Sequence, residues 1–199
     1  MNLINNGIII QDLDSPTNYM ASLQINYLGI NAFHHYPLIM LGDAESKSLN
    51  DEVPFKKLGD GSYQQTEFIK TLDLARRYIS CCDSHNIQTR ALFIKSNCVV
   101  DGWIGTLPDM TSIGYEYCEI PFDSQIITDF DWYLPLRKNQ KKLNKYGLFD
   151  TLDDVLQFKN DYDKEFRDGN IGDGEMSPFV CHIYEINKEH LLSNNIGAL

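Results

Sequence analysis

Hydrophobic and polar positions alternate along this chain in patterns that change period several times. Gly7-Ile-Ile-Ile-Gln11 reads as a short strand closed by the turn-forming run Asp12–Pro16. From 18 to 27, Tyr19, Ala21, Leu23, Ile25 and Tyr27 alternate with Asn18, Met20, Ser22, Gln24 and Asn26. Period two predicts a half-buried strand, although Ser15-Pro16 is also a helix-start pattern. Pro37–Leu41 is a continuous apolar run of central-strand length, and the polar stretch Asp43–Ser62, with Pro54, Gly59 and Gly61, predicts a long surface loop. Ser62 and Gln65 have the spacing of a capping box. Phe68, Leu72, Ala75, Ile79 and Cys82 then recur at helical spacing, which predicts a helix over Gln64–Cys82 with that stripe on the core and Lys70, Asp73, Arg76 and Arg77 in solvent.

Thr89–Lys95 and Cys98–Ile104 read as two strands joined by a tight turn at Ser96-Asn97, and Ile113–Ile120 as a further strand. Asp129–Leu134 predicts a short edge strand stopped by Pro135. A second helix is expected from Thr151, whose hydroxyl is placed to cap the amide of Asp154. Leu152, Val155, Leu156, Tyr162 and Phe166 form its apolar side, and Gly169 sits where a C-terminal cap belongs. Gly172-Asp-Gly174 is a turn, and Phe179–Ile186, apolar on both faces, is an interior strand. The pattern predicts an α+β fold, with a mixed, mostly antiparallel sheet of about five to seven strands and two main helices packed on it. At 199 residues the chain is expected to be a single globular domain spanning 1–199, able to bury a core without metal or disulfide staples.

Charge changes the picture more than composition does. Hydrophobic residues at 43% and charged residues at 23% are ordinary for a globular protein, but the net charge of -11 is not. Its placement is uneven. Asp101–Pro135 holds seven acids and no base, together with Trp103, Tyr115, Tyr117, Phe122, Phe130, Trp132 and Tyr133. Such a segment repels nucleic acid and anionic membrane, and its field attracts a basic protein surface. The plainer reading is strands with one buried and one solvated face. Leu136–Lys145 carries five bases, best explained as a solvated helix face or a loop neutralising nearby carboxylates. The N-terminus lacks signal-peptide features, and five irregularly spaced cysteines disfavour a disulfide framework, so a cytoplasmic location is expected.

Candidate chemistry is sparse. Cys82 and His85, and Cys181 and His182, are the close Cys–His pairs, but neither has a partner motif of metal-binding spacing, and residues 181 and 182 of a strand point to opposite faces. No metal and no cofactor are expected. GxSxG, GxGxxG and GxxxxGK[ST] are all absent. The pairs Asp12/Asp14 and Asp129/Asp131 are explained more simply as turns or solvated edges than as two-carboxylate sites.

In its general traits (small, strongly acidic, of mixed fold, without a catalytic signature) the chain resembles bacterial toxin-immunity proteins. The resemblance covers composition alone and carries over no functional residues. It implies a non-enzymatic protein that neutralises or docks a basic partner protein such as a toxin domain, with no nucleic acid or membrane as partner. The candidate partner-binding residues are Trp103, Asp109, Glu116, Asp123, Asp129, Asp131 and Trp132, with aromatics as anchors and carboxylates steering association. The alternative is a small hydrolase or transferase whose Cys–His or carboxylate site assembles only in three dimensions. A third reading is a structural subunit kept soluble by its acidic surface.

Overall fold

The computed structural model describes residues 1–12, 49, 55–57, 63–65, 68–98, 102–119, 123–124, 138–170 and 179–193. In chain order the elements are β1 (Ile4–Asp12), β2 (Phe55–Lys57), β3 (Tyr63–Gln65), α1 (Leu72–Ser84), β4 (Thr89–Ser96), β5 (Met110–Glu119) and β6 (Asp123–Ser124). A 3-10 turn at Lys138–Lys142 follows, then α2 (Leu152–Arg167), β7 (Phe179–Ile186) and α3 (Lys188–Ser193). The fold mixes helix and strand, with one antiparallel sheet ordered β1-β4-β7-β5, to whose edge the two-residue β6 adds. Among the described residues the sheet has four full strands and the short β6, so the expected count of five to seven is not confirmed. The segments 19–27, Pro37–Leu41, Asp129–Leu134 and Gly172–Gly174 lie outside the described residues.

β7 is interior, as its apolar pattern predicts, because β4 and β5 flank it on either side. Alternation along the strands sorts the core. On one face, Ile8, Ile10, Ala91, Phe93 and Ile186 meet Ala75, Tyr78, Ile79 and Cys82 of α1. Farther along that face, Tyr117 and Val180 meet Val155, Phe158 and Tyr162 of α2. Ile9, Leu92, Ile94, Cys118, Cys181 and Ile183 point to the opposite face, where Phe68 and Leu148 cover them. The two helices therefore sit at opposite ends of one face and leave a strip of β4, β5 and β7 between them.

Two expectations are corrected. The helix does not begin at the capping box: Tyr63–Gln65 pairs with Phe55–Lys57 as a small hairpin, which also places a strand inside the supposed loop. Ile69 then exchanges both backbone hydrogen bonds with Ile8, at 2.8 and 2.9 Å. Extended pairing at Ile69 excludes helix there, so α1 starts after Thr71, whose Oγ1 accepts from the Leu74 amide. Phe68 is buried, but on the sheet face opposite α1, while Leu72 is only half-buried. The apparent stripe thus merged residues from two different surfaces. Second, the hairpin at Ser96-Asn97 does not form. β4 pairs with β1 and β7, and residues 102–109 are an irregular loop.

The second helix follows its sequence signals. Thr151 Oγ1 accepts from the Asp154 amide, and acids occupy the first turn, where the helix dipole favours them. Gly169 follows the last turn with φ of 74°, a conformation glycine adopts without a Cβ penalty. The basic segment partly neutralises this helix: Lys142 lies 3.0 Å from Asp154 and donates to Gln157. Together with Thr151, it holds the Asp154 carboxyl below the usual range.

Candidate functional site

The base-free segment enters the described structure as the loop Gly102–Asp109, which leads directly into β5. Its backbone is pinned to β1 and to the segment that precedes α1. The Trp103 amide donates to Asn5 O at 2.8 Å, and the Ile104 amide to Lys70 O at 3.1 Å. The Trp103 ring stands edge-on to Phe93 at 5.2 Å and its Nε1 donates to Thr106 O, so the indole is a half-buried strut beneath the loop. Above it, Ile104 and Leu107 point into water at 66% and 44% exposure. Asp109 is exposed beside them. Its carboxylate lies 2.9 Å from His190 of α3, and its carbonyl accepts from the Asn187 amide.

Among the other candidate partner-binding residues, one is buried. Glu116 is 1% exposed and its Oε1 accepts from the Tyr117 amide, so it cannot meet a partner at the surface: this corrects its assignment as a steering carboxylate. Asp123 lies in β6. Asp129, Asp131 and Trp132 lie outside the described residues. Trp103 and Asp109 are therefore brought together with Ile104 and Leu107, while Glu116 is separated from them by burial. Ile104 is hidden from the sequence pattern because Cys98–Ile104 reads as a strand, and Leu107 because a single apolar residue beyond it carries no periodic signal. The interruptions at Gly105 and Pro108 were the available signal that this segment is a loop.

Immediately after this loop, β5 contributes to a second constellation, in the strip between the two helices. His182 of β7 sits opposite Lys95 of β4 and Tyr115 of β5. Its ring stacks on Tyr115 at 4.0 Å with 22° between planes, and lies 4.2 Å from the ring of Tyr184. Both ring nitrogens are engaged: Nε2 is 2.8 Å from Ser112 Oγ, and Nδ1 is 2.9 Å from Tyr184 Oη. Lys95 Nζ lies over the Tyr184 ring at 4.9 Å.

A β-bulge makes this arrangement possible. Ser112 and Tyr115 are three residues apart, which on a regular strand would aim them at opposite faces. The register instead slips between Ser112 and Gly114, so that Ser112 opposes Tyr184 and Tyr115 opposes His182. Both then reach the imidazole from the same side of the sheet, a re-aiming typical of bulges. Gly114 is required here, with φ of 139° and space for no Cβ, which would meet Leu148 Cβ at 2.7 Å and Phe149 O at 2.8 Å.

Burial, with Lys95 adding like-charge repulsion, lowers the His182 pKa to about 4. The imidazole is therefore neutral at pH 7. Burial, then the neighbouring Tyr115, raises the Tyr184 pKa, so its phenol stays protonated. With the imidazole proton on Nδ1, Tyr184 Oη accepts it and Nε2 is free to accept from Ser112.

The cysteines do not join this group. Cys118 and Cys181 are buried with their Sγ atoms 3.2 Å apart, among the residues of the opposite sheet face. Burial, then Cys181, pushes the Cys98 thiol up, away from reactivity. Among the described residues no group of three or more His, Cys, Asp or Glu could hold a metal ion, and no helix is long and apolar enough to cross a membrane. Comparison of the chain with family models, with curated proteins and with solved structures finds no match.

Proposed function

We propose that the chain is a binding protein for a basic partner protein, most concretely a bacterial immunity protein that neutralises a toxin domain in the cytoplasm. The observation that carries this reading is the loop Gly102–Asp109: two exposed aliphatic side chains, Ile104 and Leu107, on a backbone pinned to β1 and to Lys70. A pinned loop loses little conformational freedom on docking, so burial of its apolar tips converts efficiently into affinity. The surrounding segment from Asp101 to Pro135 carries seven acids and no base. Its field favours a positively charged partner and speeds the encounter. Within the loop, Ile104 and Leu107 serve as anchors, Trp103 as their support and Asp109 as a steering charge at the rim.

The test begins with the tagged chain in its native host, followed by mass-spectrometric identification of what co-purifies. The purified pair is then followed by association kinetics between about 0.05 M and about 0.5 M salt. The reading expects a basic partner whose on-rate falls tenfold or more over that range. A salt-independent on-rate, or a partner without net positive charge, overturns it.

A further inference from the structure

We infer that Ser112 is a nucleophilic site for activated acyl groups, with His182 as its base and Tyr184 as the residue that positions that base. This goes beyond the binding reading and depends on none of its residues. A serine hydroxyl 2.8 Å from an imidazole nitrogen, whose other nitrogen is held at 2.9 Å by a third group, is the arrangement by which serine nucleophiles are activated on unrelated folds. Here the third group is a phenol instead of a carboxylate. The ring orientation is fixed further by stacking against Tyr115 and Tyr184. Ser112 is exposed at the surface of β5, so its hydroxyl can be reached from solvent.

Electrostatics narrows the substrate class. The neutral imidazole is competent to accept a proton at pH 7, but a base whose pKa is near 4 gives only modest assistance. Amides, whose resonance-stabilised carbonyl needs a more fully deprotonated nucleophile than so weak a base provides, are therefore disfavoured. Esters with stabilised leaving oxygens, such as phenolates, are favoured because departure needs little acid help.

The steps balance without any further reagent. Ser112 Oγ attacks the acyl carbon and passes its proton to His182 Nε2. The tetrahedral species collapses as the bond to the leaving oxygen breaks, its electron pair staying on that oxygen. Nε2 returns its proton to the leaving oxygen or to solvent. Water then adds to the acyl-serine ester, His182 takes a proton from it, and Ser112 Oγ recovers that proton as the carboxylic acid departs.

The full-length chain is treated with p-nitrophenyl acetate and, separately, with an alkyl fluorophosphonate. The release of p-nitrophenolate is followed, and adducts are mapped by peptide mass spectrometry. The inference expects a burst approaching one equivalent and a single dominant adduct on Ser112, absent in Ser112→Ala. His182→Gln should slow acylation by about tenfold to a hundredfold. Because His182→Gln also removes ring stacking, Tyr184→Phe provides the second reading: it keeps the ring and removes only the hydroxyl. It should lower the acylation rate severalfold while leaving the concentration for half-saturation and the melting temperature unchanged. No adduct on Ser112, equal labelling of other hydroxyls, or a Ser112 adduct formed equally fast in Tyr184→Phe and His182→Gln overturns the inference. Retention of the protein partner by Ser112→Ala keeps failure here distinct from failure of the binding reading.

Discussion

The loop Gly102–Asp109 and the His182 strip are separated in sequence by Met110 and Thr111 alone, yet they use their side chains in opposite ways. In the loop the polar backbone is satisfied inward, by Asn5 and Lys70, and apolar side chains are left outside. In the strip, apolar rings form the walls and a polar network is gathered between them, with both imidazole nitrogens engaged. The first arrangement leaves apolar side chains open to water on a fixed backbone. The second holds Ser112 Oγ and His182 Nε2 in fixed relation. The difference shows that acidity alone does not define this segment's role: Glu116 is spent inside the fold, whereas exposed Ile104 has no charge at all.

The sharpest way to break the comparison is to remove the support that the loop shares with the core. Phe93 is fully buried and carries the edge of Trp103. Phe93→Ala should cost about 3–5 kcal/mol in urea denaturation, the usual range for a core phenylalanine. Gly114→Ala acts on the strip. Its φ of 139° and the close approach of Leu148 and Phe149 should make it destabilising by about 2–3 kcal/mol. It should also disturb the hydrogen bond between Ser112 and His182, read from the Nε2 and Nδ1 shifts of His182 by nuclear magnetic resonance.

A smaller effect follows from protonation. His182 titrates near 4 in the fold against 6.5 for the ordinary side chain. Between these values the unfolded chain binds more protons than the folded one, so stability is fully present above about pH 6.5 and is lost as pH falls toward 4. Discounted for the ring's partial exposure, the loss is on the order of 1–2 kcal/mol. Urea midpoints at the two ends of that range should differ in the native chain by more than in His182→Gln. Equal differences would show that the strip does not govern His182. The smallest effect belongs to the loop tip: Ile104→Asp and Asp109→Asn should each change stability by less than about 0.5 kcal/mol. The Asp109–His190 pair is exposed on both sides and contributes little.

What could be read from the sequence follows the range of the interactions that make each feature. α2 was legible because its cap, first-turn acids and C-terminal glycine are all local. β1, β4, β5 and β7 were legible from apolar content and period. The start of α1 was not, because the decisive event is the pairing of Ile69 with Ile8, about sixty residues away in sequence. The strip was equally hidden. Ser112 and His182 are seventy residues apart, and a bulge at Gly114 inverts the facing that simple alternation would assign. Cys181 and His182 were correctly read as facing apart, but nothing in the sequence marks Ser112 as the partner of His182.

The central claim, that the loop is the docking surface and the neighbouring strip is not, is tested most directly by recovering the partner from the native host with three tagged chains. These are the native chain, Ile104→Asp/Leu107→Asp and Ser112→Ala, each first shown to melt at the same temperature. The account predicts that the native chain and Ser112→Ala recover the same basic protein in equal amount, while Ile104→Asp/Leu107→Asp recovers less than a tenth of it. Undiminished recovery by Ile104→Asp/Leu107→Asp, or loss of the partner with Ser112→Ala, would contradict the account.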